Sequence, residues 1–230
     1  MIWGEQDGYL ERWLNELDRL KVWAENKSPE YREFQRGGHN QFLPNISPPP
    51  PALTYAAKVH IEGLFQLPAW GLGRTIWGFK EVRYSAELAV ALQVLFPNAR
   101  FIHLTRDVRN VFLSLKRWEL SDNWLPEWTT EVLKRWVAIN GSFDQKGREL
   151  RQLLKLKYED MVADSEAFTR TLERFLNISP GSLDESVFNL KLDGTHSHAP
   201  QVPLSRADED TIRQVPGMVE VGYRYGYSFG

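Results

Sequence analysis

Apolar residues recur at helical spacing near the start of the chain and predict an amphipathic helix over residues 7–25. Its apolar stripe is made of Trp13, Leu14, Leu17 and Leu20. The stretch that follows ends in four consecutive prolines, Pro48 to Pro51. Proline lacks a backbone N–H and fixes φ, so these four predict a stiff extended connector rather than a helix.

Short apolar runs then alternate with helical patterns. Strands are predicted at 76–82, 100–104 and 153–158, and helices at 85–97, from Val108 onward, at 129–152, at 165–177 and at 207–225 with an interruption near Pro216. This alternation predicts an α/β fold with a mainly parallel sheet, in a single domain that spans 1–230. Ligands in such folds bind at the carboxyl ends of the strands. Three segments should therefore lie along one rim: Lys80–Arg83, Thr105–Arg109 and Tyr158–Asp160.

The composition narrows the class of protein. Hydrophobic residues make up 42% of the chain, charged residues 25%, and the net charge is −2, so nucleic acid is not an expected partner. No apolar run is long enough for a membrane span, and the N-terminus has no signal-peptide pattern. The chain has no cysteine, which is compatible with a reducing, cytoplasmic location and excludes cysteine-based metal sites.

The junction after the second strand carries the strongest chemical signal. A strand that ends at Thr105-Arg106 and leads into a helix presents free backbone N–H groups and a helix dipole to an anion. Arg106 adds a forked, permanently charged donor, and Ser114 follows on the same polar stripe. The alternative is an ordinary solvated helix face with an ion pair from Arg106 to Asp107 or to a neighbouring acid.

Three segments resemble the sulfotransferase family. Arg106 and Ser114, eight positions apart, are similar to the pair that holds the 3′-phosphate of the donor, 3′-phosphoadenosine 5′-phosphosulfate (PAPS). Trp77–Glu81 resembles the strand that ends in a lysine near the reaction centre, and Leu156–Met161 resembles the family's Tyr-Glu-Asp segment. The resemblance implies a P-loop-NTPase-like three-layer fold and transfer of a sulfuryl group from PAPS to a hydroxyl or amine of a small-molecule, carbohydrate or peptide acceptor.

The resemblance also implies roles for individual residues. Lys80 would stabilise negative charge on the transferred group, Tyr158 would flank the adenine, and Glu5 would be the general base. Each has an alternative: a solvent-exposed strand-end lysine, a core tyrosine, and an acid that favours a helix dipole. Glu159 and Asp160 are expected to cap the next helix.

Two further segments bear on the substrate side. A loop is predicted over residues 119–128, which contain Trp124 and Trp128 and directly follow Trp118. It would contact the acceptor or form an apolar lid. His196 and His198 form a pair without an identifiable third ligand, so no metal site is expected.

The family's glycine-containing loop for the 5′-phosphosulfate has no clear counterpart. The nearest string, Gly71–Thr75, precedes a predicted strand and lacks the order strand, loop, helix. The sequence thus predicts a chain without the first strand and the phosphate loop. A non-catalytic nucleotide-binding or partner-binding remnant of the fold therefore remains an alternative to the enzyme, and the missing Lys-Ser/Thr loop argues against a kinase.

Overall fold

The computed structural model describes residues 15, 19, 50–119, 126–184 and 204–229. Its chain divides into two compact units: residues 1–84 with 91–97, and residues 85–90 with 98–230. The single domain expected over 1–230 stays a prediction.

Three consecutive helical elements lie in the first unit: α1 (Pro50–Ile61), a π-helix (Glu62–Gln66) and α2 (Leu67–Gly71). The proline run was predicted to be extended, which is wrong for Pro50 and Pro51. Both belong to the first turn of α1, where a helix leaves its N–H groups unpaired and proline is tolerated.

The segment 76–82 is not a strand, contrary to the prediction. Its alternate aromatic residues pack in a cluster instead: Phe79 stacks on Phe65 with ring centroids 4.6 Å apart, and Trp77 meets Phe96 edge-on at 5.5 Å. A strand exists only through backbone pairing with a neighbour, and no described strand pairs with this segment. The period-two pattern therefore reflects aromatic packing.

The string Gly71–Thr75 closes α2. Gly73 has a φ of +70°, its N–H donates to the carbonyl of Trp70 at 2.8 Å, and the N–H of Arg74 donates to Ala69 at 2.9 Å. This is the hydrogen-bond pattern of a Schellman helix terminus. The string therefore forms a helix end, and the strand that was predicted to follow it is absent from 76–82.

The second unit is a mixed helix and strand structure. Its strands, β1 (Phe101–Thr105) and β2 (Leu153–Lys157), are parallel, with Phe101 beside Leu153 and Thr105 beside Lys157. The predicted strands at 100–104 and 153–158 and the α/β class with a parallel sheet are confirmed. The helices are α3 (Ala86–Leu95, divided between the two units), α4 (Val108–Glu119), α5 (Pro126–Gln145), a 3₁₀ turn (Gly147–Glu149), α6 (Tyr158–Ala163), α7 (Ser165–Leu176), α8 (Arg206–Arg213) and α9 (Met218–Arg224).

The loop predicted over 119–128 is wrong at both of its ends. Helix α4 continues to Glu119 and α5 begins at Pro126, so Trp118 and Trp128 lie on helices, and residues 120–125 with Trp124 lie outside the described residues. Proline at a helix start explains the early beginning of α5. No helix in the described ranges has the length and apolar character needed to cross a membrane.

The core of the second unit lies where four helices meet. Val108, Leu133, Ile212 and Met218, from α4, α5, α8 and α9, are at most 1% exposed. Glycines allow close packing around α9: a Cβ at Gly222 would lie 2.2 Å from Cε2 of Phe229, whereas one at Gly141 of α5 would lie an ordinary 3.7 Å from Val221.

These two helical glycines should respond oppositely to alanine. Gly222→Ala should displace the Phe229 ring and lower the free energy of unfolding by about 1–3 kcal/mol. Gly141→Ala, the matched control, should leave it unchanged or raise it by up to about 1 kcal/mol through helix propensity. Urea unfolding of both variants tests this, and an unchanged midpoint for Gly222→Ala contradicts the packing.

Candidate functional site

The carboxyl ends of β1 and β2 bring two parts of the predicted rim together. Thr105 pairs with Lys157, so the residues that follow each strand are neighbours. The guanidinium carbon of Arg106 lies 4.6 Å from the centroid of the Tyr158 ring, within the range of a cation–π interaction. Two residues predicted to bind the nucleotide are therefore in contact.

The peptide group between Arg106 and Asp107 is held by side chains on both of its polar atoms. Its carbonyl oxygen accepts a hydrogen bond from Nε1 of Trp136 on α5 at 3.0 Å. Its N–H donates to Oε1 of Glu159 on α6 at 2.9 Å. The backbone at the junction is thus fixed by two helices as well as by β1.

Asp107 begins α4 as its N-cap. Its carbonyl accepts from the N–H of Val111 at 3.0 Å, and its Oδ1 accepts from the N–H of Arg109 at 2.9 Å. The Arg109 side chain also donates to the same carboxylate, from Nε to Oδ1 at 3.0 Å and from Nη2 to Oδ2 at 2.5 Å. These hydrogen bonds raise the pKa of the Arg109 guanidinium.

Two expectations for this junction are corrected. The helix start was predicted to offer free N–H groups to an anion, but the N–H of Arg109 already donates to Asp107 and that of Asp107 to Glu159. The alternative ion pair between Arg106 and Asp107 is also absent, because Asp107 pairs with Arg109.

The Arg106 side chain takes no part in the pairing of Asp107 with Arg109. No carboxylate of a described residue forms an ion pair with it, and its buried Nε has no hydrogen-bond partner in the described part of the chain. Ser114 lies on α4, half-buried, seven residues after the N-cap. Seven residues are almost two helical turns, so Ser114 and Asp107 share one side of α4.

The C-terminal segment completes the rim. The phenol of Tyr227 donates to Oε2 of Glu159 at 3.0 Å, and its ring lies 6.3 Å from that of Trp136. Burial, and next the charge of Glu159, raise the pKa of Tyr227 above its ordinary value, so the phenol stays protonated. Glu159 was predicted to cap the next helix, and this is wrong, because its carboxylate accepts from the Asp107 N–H and the Tyr227 phenol. Asp164 caps α7 instead, by accepting from the N–H of Ala167 at 2.8 Å.

The other predicted site residues lie in the first unit or outside the described residues. Lys80 lies exposed in the first unit, within the segment 76–82. Glu5, His196 and His198 lie outside the described residues. Among the residues that the structure does describe, no three potential metal ligands cluster.

Trp136 and Tyr227 escaped the sequence analysis, which placed Arg109 on the rim without assigning it as the partner of Asp107. A detectable signal existed only for the cap, because an aspartate directly before an apolar helical stripe is a common N-cap pattern. Trp136 and Tyr227 are joined to the junction only by tertiary contacts, across 30 and 68 residues of sequence.

Comparison with known proteins identifies the family. A family model described as the sulfotransferase family matches residues 9–180, more than half of the chain. The chain belongs to the sulfotransferase family. Sulfotransferases have a P-loop-like fold, and the parallel strands of the second unit are compatible with it. Membership supports a sulfotransferase activity in general. Neither the curated proteins nor the solved structures contain a significant match.

Beneath the rim, this sulfotransferase-family chain buries a histidine on β1. His103 stacks on Phe143 with ring centroids 4.0 Å apart, and its Nδ1 is buried without a hydrogen-bond partner in the described residues. Burial, and next the charge of Lys155, lower the pKa of His103 to about 4, while Asn140 and Asp144 oppose this shift. The imidazole is therefore neutral in the folded protein.

This neutral histidine should make stability depend on pH. The unfolded imidazole titrates near 6.5, so between pH 6.5 and 4 the unfolded chain binds more protons and stability falls as pH falls. His103→Phe should remove up to about 3 kcal/mol of that decline. Urea unfolding between pH 7.5 and 4.5 measures it, with other titrating groups common to both proteins. Parallel pH curves for the two proteins contradict the burial.

Proposed function

We propose that this protein transfers a sulfuryl group from PAPS to an acceptor hydroxyl or amine. The observation that carries the proposal is the state of charge at the junction. Asp107 is neutralised by Arg109, whereas Arg106 is stacked on Tyr158 and has no described carboxylate partner. An arginine with an unused fork is suited to a phosphate.

The 3′-phosphate of the donor is the proposed ligand of Arg106. The guanidinium offers several N–H donors to the phosphate, and the hydroxyl of Ser114, on the following helix, is the second donor. Tyr158 supports Arg106 through its ring and is the proposed neighbour of the adenine. The family's general use of PAPS agrees with this assignment.

In the proposed reaction the acceptor oxygen or nitrogen attacks the sulfur. A new bond to sulfur forms while the bond from sulfur to the bridging oxygen breaks, and adenosine 3′,5′-bisphosphate leaves with the electron pair. Glu5 takes the proton of the acceptor, and Lys80 stabilises the charge that develops on the bridging oxygen. The acceptor class is a small molecule, a carbohydrate or a peptide.

Nucleotide binding tests the proposed donor site. The full-length chain should bind adenosine 3′,5′-bisphosphate at least about tenfold more tightly than adenosine 5′-monophosphate, because charge-assisted hydrogen bonds hold the extra phosphate. Arg106→Gln should abolish most of that preference, and Ser114→Ala a smaller part. Calorimetric titration with both nucleotides measures it.

The matched control is Arg170→Gln on the exposed side of α7, which removes the same charge from a residue paired with Glu166. It should leave the preference unchanged. Folded wild-type protein that binds neither nucleotide, or both equally, contradicts the proposed donor site.

Transfer assays with labelled PAPS and a panel of phenols, amines, sugars and peptides test the chemistry. In a chain that carries the family's 5′-phosphosulfate loop, Glu5→Gln should lower turnover by about a hundredfold and leave the affinity for adenosine 3′,5′-bisphosphate nearly unchanged, since a general base acts on the acceptor. Unaltered turnover assigns Glu5 to the helix dipole instead. Nucleotide binding without transfer to any acceptor favours the non-catalytic alternative.

A further inference from the structure

The junction peptide between Arg106 and Asp107 has an unusual pair of partners. Trp136 donates to its carbonyl oxygen and Glu159 accepts from its N–H. Both atoms belong to one planar unit, so two hydrogen bonds from opposite ends of that unit determine its orientation. The Cα of Arg106 is attached directly to this plane, and the side chain leaves from that atom.

Tyr227 connects the two partners. Its hydroxyl donates to the second carboxylate oxygen of Glu159, and its ring packs near the Trp136 indole. The Glu159 carboxylate therefore accepts a backbone N–H with one oxygen and a phenol O–H with the other. Tyr227 is 6% exposed and Trp136 is 9% exposed, so little solvent can compete for these bonds.

The charge of Glu159 is not needed to balance Arg106. The two are not an ion pair, and the junction's other acid, Asp107, already has Arg109 as its partner. Glu159 contributes to the junction as a hydrogen-bond acceptor that fixes the position of the Asp107 N–H. An amide oxygen in the same place can accept from the Asp107 N–H, whereas a methyl group cannot.

We propose that Trp136, Glu159 and Tyr227, here called the peptide clamp, are positioning residues that aim Arg106 at the 3′-phosphate. The inference rests on the proposed function, because the orientation of the Arg106 side chain is measured through the affinity for a ligand that carries the 3′-phosphate. If the clamp positions Arg106, its loss lowers the preference for adenosine 3′,5′-bisphosphate over adenosine 5′-monophosphate. If its role is purely structural, its loss lowers the stability of the protein or weakens the binding of both nucleotides equally.

The experiment compares that preference in the full-length wild type and three variants. Glu159→Ala should reduce it by about tenfold, because the N–H of Asp107 loses its charged acceptor. Glu159→Gln should restore it to within about twofold of wild type, since the amide oxygen replaces that acceptor. Tyr227→Phe, which retains the ring and loses the hydroxyl, should reduce it by about threefold, the size of a neutral hydrogen bond.

Glu166→Ala is the matched control. Glu166 lies exposed on α7 with Arg170 as its ion-pair partner, so its loss removes one negative charge from outside the clamp. This control variant should prefer adenosine 3′,5′-bisphosphate over adenosine 5′-monophosphate as strongly as wild type does. A second measurement needs no ligand: amide hydrogen exchange at Asp107 should be about tenfold faster in Glu159→Ala than in wild type or in Glu159→Gln.

The outcomes separate the two proposals. Wild type without a preference overturns the donor site, and the clamp's role with it. Wild type with a preference that Glu159→Ala retains, or variants that weaken both nucleotides equally, overturn the clamp alone. If Glu159→Ala does not fold, Tyr227→Phe decides, and an unchanged preference in that variant overturns the clamp.

Discussion

The parallel pairing of β1 with β2 joins two chain segments 52 residues apart, and the candidate site depends on that register. With Thr105 beside Lys157, the residues after each strand meet at one edge, which puts Arg106 against Tyr158 and Glu159 against the Asp107 N–H. A slip of one residue would turn every side chain of β2 to the other face and separate these contacts. The site is therefore a consequence of sheet register.

Charge at the junction is divided between two arginines with different tasks. Arg109 satisfies the helix-capping carboxylate of Asp107, and this leaves Arg106 with an aromatic ring below it and no described acid as partner. The stack restrains the long side chain of Arg106 without neutralising it, unlike an ion pair. An anion can therefore bind without first displacing a carboxylate from Arg106.

Amphipathic helices were the easiest elements to predict. The helix over 165–177 and the pair interrupted near Pro216 appear as α7, α8 and α9, because their apolar stripes face a core in any arrangement. The segment 76–82 misled the prediction because its aromatic residues alternate as in a strand and yet pack on Phe65 and Phe96. Helix α1 was missed because its first turn begins inside a proline run.

The sequence by itself determined the α/β class, the strand-to-helix junction at Arg106 and the family resemblance, since all three depend on residues close together in the chain. Tertiary structure alone decided which acid meets which arginine, and that Trp136, Glu159 and Tyr227 hold one peptide group. The sequence shows on which helix or strand a charged residue lies. The partner of that residue depends on which other helices and strands pack against it. For Arg106, that packing provides an aromatic ring where the sequence suggested a carboxylate.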